Sequence, residues 1–330
     1  MSSAPREIHI ASAGYVRRFG VDKHVVVRDV ATGREERRGA RKAAYRRDWW
    51  GTDPELAAAI EKSLNQCESP ALRDLGKIDK LWPLSSAHRV LVGQFIAIHV
   101  VRTPAFGIFL RMVTEQSIED ESVRAHVPAE HLHLAAELFR GERMHANALL
   151  GQITRLASLL CGMQWSLVRF DGDLLATSDQ PVVALPLVPR GVHAAGNAVP
   201  PNGWMDVIEV RFSLDPRTLL LMSWSDAPDA PAPLPGTFNQ ACTVNCGVIT
   251  QADREWFYRP GPRPCHLTPA SLQPLVYPIS PQLLPGYNAA VASGSSRRRA
   301  ADQLMAEMIR DNTPRDQMRW VTVRNAEQAA

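Results

Sequence analysis

The stretch Gln164-Trp-Ser-Leu-Val-Arg-Phe170-Asp171-Gly172-Asp-Leu174-Leu-Ala-Thr177-Ser178-Asp179-Gln-Pro181 marks where this chain changes character. Gln164–Phe170 is rich in strand-forming residues, Asp171-Gly172 is a strong turn signal, and Leu174–Thr177 resumes the apolar run. The local pattern predicts a β-hairpin there. Two more strand runs follow, Val207–Phe212 and Thr218–Trp224, on either side of Asp215-Pro216. Strands that cluster, instead of alternating with helices, indicate an α+β fold and not a parallel α/β sheet.

Outward toward the N-terminus the pattern turns helical. Asp53 and Pro54 supply a cap and a first-turn proline, and Leu56, Ile60 and Leu64 recur at spacings of four, predicting a helix to about Asn65. Ser85 or Ser86 caps a helix to about Val101 that is apolar almost all round, so it belongs in the centre of the domain. A third helix is expected over 129–161, interrupted at Gly141. Further out, residues 7–10 alternate as a half-buried strand does. His24–Val30 and Arg34–Arg38 flank the turn Ala31-Thr-Gly33 as an N-terminal β-hairpin.

In the other direction the segment 185–203 is rich in Pro and Gly and reads as a loop, and Phe238–Gln251 reads as a late helix. The predicted architecture is thus an N-terminal β-hairpin, central buried helices, clustered antiparallel strands and a late helix. One α+β domain covers 1–285. Residues 286–330 form a linker and an amphipathic helical extension around Arg297–Ile309.

Of the 330 residues, 45% are hydrophobic and 22% charged, ordinary values for a globular chain. The net charge is +3, yet residues 1–50 hold 12 Lys/Arg against 6 Asp/Glu, leaving that segment at +6. Such a lobe attracts phosphate or nucleic acid, or is simply a solvated hairpin. The cysteines are Cys67, Cys161, Cys242, Cys246 and Cys265, an odd number with no C-x-x-C pair. With no apolar leader and no membrane-length apolar run, they point to a reduced, cytoplasmic protein. Cys242 and Cys246 lie one helical turn apart, but further ligands at finger spacing are missing. Buried free thiols are therefore expected, with no metal site and no cofactor identified.

Scattered polar motifs carry the functional signal. They are His9 with Tyr15 and Phe19, Arg102-Thr-Pro104, Ser178-Asp179-Gln-Pro181, and Asn245 followed by Phe257-Tyr258. Their order and spacing resemble the bacterial domain-of-unknown-function 4238 family over roughly residues 5–260. Ser12 stands where that family has Pro, and Gly14 where it has an aromatic residue. The resemblance implies a shared fold and a shared polar site, with no established reaction.

Each motif supports two readings. His9, between Ile8 and Ile10, could act as general base, proton donor or ligand, or rest as a half-exposed strand histidine. Arg102 shares a helical face with Phe95 and His99. It suits a bidentate grip on phosphate or carboxylate, or an internal salt bridge, for instance to Asp179. Asp179 could serve in acid/base work or close an Asx-turn. Asn245 could orient a substrate or the His9 ring, or make a local hydrogen bond.

His9, Arg102, Asp179 and Asn245 are the candidate catalytic residues, expected to meet in one pocket. Tyr15, Ser178, Arg41, Arg46 and Arg47 are the candidate substrate-binding residues. The last three form a basic-aromatic cluster with Tyr45, Trp49 and Trp50 that would suit a nucleic-acid strand. Two functions follow. One is a hydrolase or transferase on a phosphate-containing substrate, nuclease-like or nucleotide-processing, in bacterial defence or as a toxin. The other is a non-catalytic module for nucleic acid or another anionic partner, in which the same residues form a structural network.

Overall fold

The computed structural model describes residues 7–47, 54–103, 106, 142–186, 207–224, 228–265, 275–279 and 319–323. Strand β1 (Glu7–His9) pairs antiparallel with β4 (Tyr45–Arg47), placing His9 opposite Tyr45. Helix α1 (Ala13–Val16) begins where the Ser12 hydroxyl accepts the Tyr15 amide at 3.2 Å. Ser12 thus supplies a cap at the position where a proline was expected. Gly14 has a steric reason of its own: a Cβ there would meet Leu72 Cδ1 at 2.6 Å, so α1 lies directly on the next helix.

Strands β2 (His24–Asp29) and β3 (Glu35–Gly39) form the predicted hairpin, with Arg28 opposite Glu35. Its turn is closed by the Asp29 carboxylate, which accepts the Thr32 amide at 2.7 Å and the Thr32 hydroxyl at 2.8 Å.

Among the described residues four helices follow: α2 (Pro54–Leu75), α3 (Ile78–Leu81), α4 (Ser86–Val101) and α5 (Glu142–Gly162). The central helix α4 behaves as its sequence predicts, with Val92, Phe95, Ile96, Ile98 and Val101 sealed from solvent. Helix α2 runs past Asn65 to Leu75 with Pro70 inside it. Burial of Ala71 and Leu75 offsets the hydrogen bond that the proline removes.

Two sheets complete the domain. One has the order β10 (Leu234–Pro235), β5 (Gln164–Arg169), β9 (Thr218–Ser223), β8 (Val207–Asp215), β7 (Val182–Pro186). The other runs β3, β2, β11 (Glu255–Tyr258), β6 (Thr177–Ser178). The two strands expected around Asp215-Pro216 are present, and they pair antiparallel with each other.

The Asp171-Gly172 turn does not close a hairpin. Strand β5 pairs with β9, while β6 crosses to the other sheet and pairs with β11. The local turn signal loses to burial: Phe170 and Leu175 are drawn into an apolar cluster with Val168 and Leu219. Their amides bond to Arg217 and Pro216 in the β8–β9 turn, at 2.9 Å each.

Helix α6 (Phe238–Gln251), at its expected position, lies between the sheets. Ala241 and Val244 pack on Val168 and Leu219 of the five-stranded sheet, and Ile249 packs with Trp256 and Tyr258 of the four-stranded one. Gly247 permits this contact, because a Cβ there would meet Val183 Cγ1 at 2.9 Å.

Cys242 of α6 is bonded to Cys265, with 5.1 Å between their Cα atoms. Cys242 is therefore not the free thiol anticipated. Beyond the core, β12 (Leu275–Ile279) pairs antiparallel with β13 (Arg319–Val323), so the tail returns a strand across position 285. The anticipated helix at 297–309, the segment 187–206, Trp49, Trp50 and Pro104 lie outside the described residues. Among the described residues no helix is long and apolar enough to cross a membrane.

Candidate functional site

The crossover segment Leu174–Pro181 is where most of the motifs meet. The Tyr15 hydroxyl donates to Ser213 O at 2.7 Å and therefore accepts from Thr177 Oγ1, also at 2.7 Å. Its ring is fully buried, stacked 5.0 Å from Phe212 and edge-on to Phe19 and Phe95. Burial holds the phenol above its usual pKa, so it stays neutral. Tyr15 is thus a core residue whose hydroxyl is held by Thr177 and Ser213. Ser178 turns inward too: its hydroxyl donates to Gln180 O at 2.9 Å and accepts the Gln180 amide at 3.1 Å.

Asn245 uses its whole carboxamide on backbone. Its Oδ1 accepts the Ala176 amide at 2.8 Å, and its Nδ2 donates to Leu174 O at 2.8 Å and Cys265 O at 2.7 Å. Asp179, also buried, accepts three amides that follow α6: Asp253 at 2.9 Å, Arg254 at 2.8 Å and Glu255 at 3.3 Å. The Asp179 amide in turn donates to Glu255 O at 3.0 Å. Together Asn245 and Asp179 fasten the crossover to α6 and to the start of β11.

Glu255, which motif spacing did not single out, extends this network to the hairpin. Its carboxylate pairs with Arg38 at 2.7 Å and accepts the Ala44 amide at 3.3 Å. Ala44 has φ of 54°, a left-handed conformation uncommon outside glycine, and its carbonyl accepts the Ile10 amide at 2.8 Å. The signal in the sequence was only a lone acid opening the run Glu-Trp-Phe-Tyr.

Arg102 stands apart from this group. It caps α4 and is 1% exposed, with its guanidinium on Glu68 at 2.6 Å and Glu61 at 3.1 Å, both from α2. The internal salt bridge anticipated for it therefore exists, but with these two glutamates in place of Asp179. Burial raises the Glu68 carboxyl above its usual pKa, and the Arg102 charge opposes that rise.

One turn back on α4, His99 links Arg102's helix to α1. Its Nδ1 lies 2.9 Å from Phe95 O and its Nε2 3.3 Å from the Ser12 amide. A carbonyl partner requires a donor and an amide partner an acceptor, so the ring is the neutral Nδ1–H tautomer. Burial lowers its pKa from 6.5 to about 3. The unfolded chain takes up a proton near pH 6.5 that the folded one refuses. Stability attributable to His99 is therefore complete above pH 6.5 and lost as pH falls toward 3, about 2 kcal/mol of it by pH 5. Urea titrations of the parent and of His99→Gln at both pH values check this. Equal pH slopes would exclude a role for His99.

His9 is the one candidate catalytic side chain that is not sealed in the core. It is half-buried, and its Nε2 lies 2.8 Å from the carbonyl of Arg41. Along the β2–β3 hairpin and the turns that flank it, Lys23, Arg34, Arg37, Arg41 and Lys42 are exposed, and none has an ion-pair partner among the described residues. Arg46 and Arg47 belong to β4 beside β1, opposite Ile8 and Glu7. The four candidate catalytic residues thus occupy three places: Asp179 and Asn245 at the crossover, Arg102 between α2 and α4, and His9 at the hairpin's edge. Among the described residues, no group of three or more His, Cys, Asp or Glu side chains could hold a metal.

No curated protein and no solved structure matches the chain. A family model does, over residues 9–262, which spans His9, the helix α4 motif, the crossover, Asn245 and Tyr258. The chain belongs to the family described as protein of unknown function, DUF4238.

Proposed function

We propose that this protein is a nucleic-acid-binding module whose contact surface is the basic β2–β3 hairpin, and that the motif residues form the scaffold holding that hairpin. The exposed cations Lys23, Arg34, Arg37, Arg41 and Lys42, without ion-pair partners among the described residues, carry this reading. The carboxylate of Asp179 accepts three backbone amides, the Asn245 carboxamide bonds three backbone groups, and the Arg102 guanidinium is held by two glutamates. A buried Arg locked to two carboxylates has little left to offer a phosphate. Half-exposed Tyr45 next to the 3-10 turn Ala40–Lys42 adds a ring on which a base can stack.

Phosphate contacts release counterions, so binding should weaken steeply with salt. Replacing Arg37, Arg41 and Lys42 together by Glu should lower affinity for a labelled single-stranded oligonucleotide by at least about 30-fold. It should also reduce the salt slope by about three, one per contact. These side chains are exposed, so thermal stability should hardly move. Fluorescence anisotropy across a salt series decides it. No binding at low salt, or binding indifferent to the triple variant, would sink the proposal.

One observation keeps a hydrolytic reading as the second choice: the half-buried imidazole of His9 lies 2.8 Å from the backbone carbonyl of Arg41, one of the exposed cations. A nuclease-like activity there predicts oligonucleotide cleavage that His9→Ala abolishes while binding survives.

A further inference from the structure

We propose that the Cys242–Cys265 bond is a redox-operated tether that sets how firmly the hairpin holds an anion. The inference rests on the nucleic-acid reading of the hairpin and adds a regulatory input to it. The segment Arg259-Pro-Gly-Pro-Arg-Pro-Cys265 leaves β11 and crosses from the hairpin to α6. Arg259 pairs with Asp173 at 3.2 Å, and Arg263 pairs with Glu35 of β3 at 3.0 Å. The far end is held by the disulfide and by the Asn245 hydrogen bond to Cys265 O at 2.7 Å. One strap thus connects a redox-active bond to the charge balance of the hairpin.

The chemistry is asymmetric. Cys242 is buried, whereas Cys265 is only half-buried. An incoming thiolate from a dithiol reductant reaches Cys265 Sγ first. A mixed disulfide forms as the bond to Cys242 breaks, and Cys242 departs as a thiolate that takes up a proton. The second thiol of the reductant then attacks its own sulfur in the mixed disulfide. This frees Cys265 as a thiol and leaves the reductant oxidised to its disulfide. The tether is therefore closed in an oxidising setting and open in a reducing one.

Once the bond is open, the strap depends on ion pairs with solvent-exposed arginines. Arg263 is 50% exposed and Arg259 43%, and such pairs hold weakly. Release of Arg263 leaves Glu35 with less positive charge beside it, so the hairpin attracts anions less. A change of one charge at the contact should weaken oligonucleotide binding about threefold.

The test compares the full oxidised chain with the same chain in dithiothreitol. Backbone NMR order parameters at Gly261, Arg263 and Cys265 report the strap, and anisotropy with a labelled oligonucleotide reports the hairpin. Reduction should lower these order parameters to below about 0.6 and weaken binding about threefold. Cys265→Ser should behave as the reduced protein under both conditions, and Cys246→Ser as the parent. Unchanged order parameters on reduction overturn the tether whatever the oligonucleotide does. Lower order parameters with unchanged affinity overturn the coupling to the hairpin. Absence of binding in both states overturns the nucleic-acid reading and the coupling with it, while the order parameters still decide the tether.

Discussion

Asp179→Ala should lower the unfolding free energy by about 4 kcal/mol, because one buried carboxylate satisfies three part-buried amides at once. Each amide that loses an ionised acceptor costs on the order of 1–3 kcal/mol, and the 3.3 Å bond to Glu255 contributes least. The damage should spread along the network. Glu255 would lose its anchor, and with it the Arg38 pair and the Ala44 amide that fix the open end of the hairpin. Asp179→Asn should cost about half as much, since one oxygen still accepts while the new NH2 faces a donor. Urea denaturation gives the stabilities, and anisotropy on the folded fraction gives the binding. A structural Asp179 predicts reduced stability and unchanged affinity per folded molecule. A variant as stable as the parent that has lost an activity would return Asp179 to catalysis.

Local signals were legible where local physics decides. Helix α6 spans Phe238–Gln251 as its pattern indicated, with the Thr237 hydroxyl capping it by accepting the Gln240 amide. The β2–β3 hairpin and α4 were equally readable from their turn and cap. Pairings between distant segments were not. The Asp171-Gly172 signal is genuine, yet its strands part because Leu175 gains more by entering the Val168–Leu219 cluster. Five cysteines without a paired spacing contain no information on which two meet, so Cys242–Cys265 was invisible. The glutamates that hold Arg102 sit on α2, one of them beyond the expected end of that helix.

Tyr15, Ser178, Asp179 and Asn245 are gathered around one crossover, while His9 and Arg102 lie elsewhere, so the expected meeting of His9, Arg102, Asp179 and Asn245 in one pocket is not seen. Spacing does not indicate whether a gathered group has a free lone pair or proton. That depends on amides such as those of Ala176, Asp253 and Arg254, whose residues look unremarkable in the sequence. A shared polar site and a shared polar scaffold leave the same trace in a linear pattern. Only the hydrogen-bond accounting bears on the difference, and here it puts Asn245 on backbone groups of the crossover and Asp179 on amides that follow α6.

Arg102→Met should cost about 3–5 kcal/mol at pH 7, for it strands two carboxylates beside each other without their cation. The loss should depend on pH with a definite sign. Burial already holds the Glu68 carboxyl above its usual pKa, and removing Arg102 takes away the charge that restrains it. In the variant the folded state then binds a proton more readily than the unfolded chain does. Stability of the variant should therefore recover as pH falls from 7 toward the ordinary carboxylate range, so the gap to the parent narrows. A second substitution separates the ion pair from simple packing. Arg102→Met with Glu68→Leu should regain most of the loss, because Glu61 is 28% exposed and can be solvated alone. Urea titrations of the parent, both single variants and the double variant, at pH 7 and pH 5, complete the cycle. A cost that is independent of pH and is not rescued by Glu68→Leu would mean that Arg102 acts through its bulk alone. Loss of oligonucleotide binding in the rescued, stable double variant would show instead that its charge reaches a ligand.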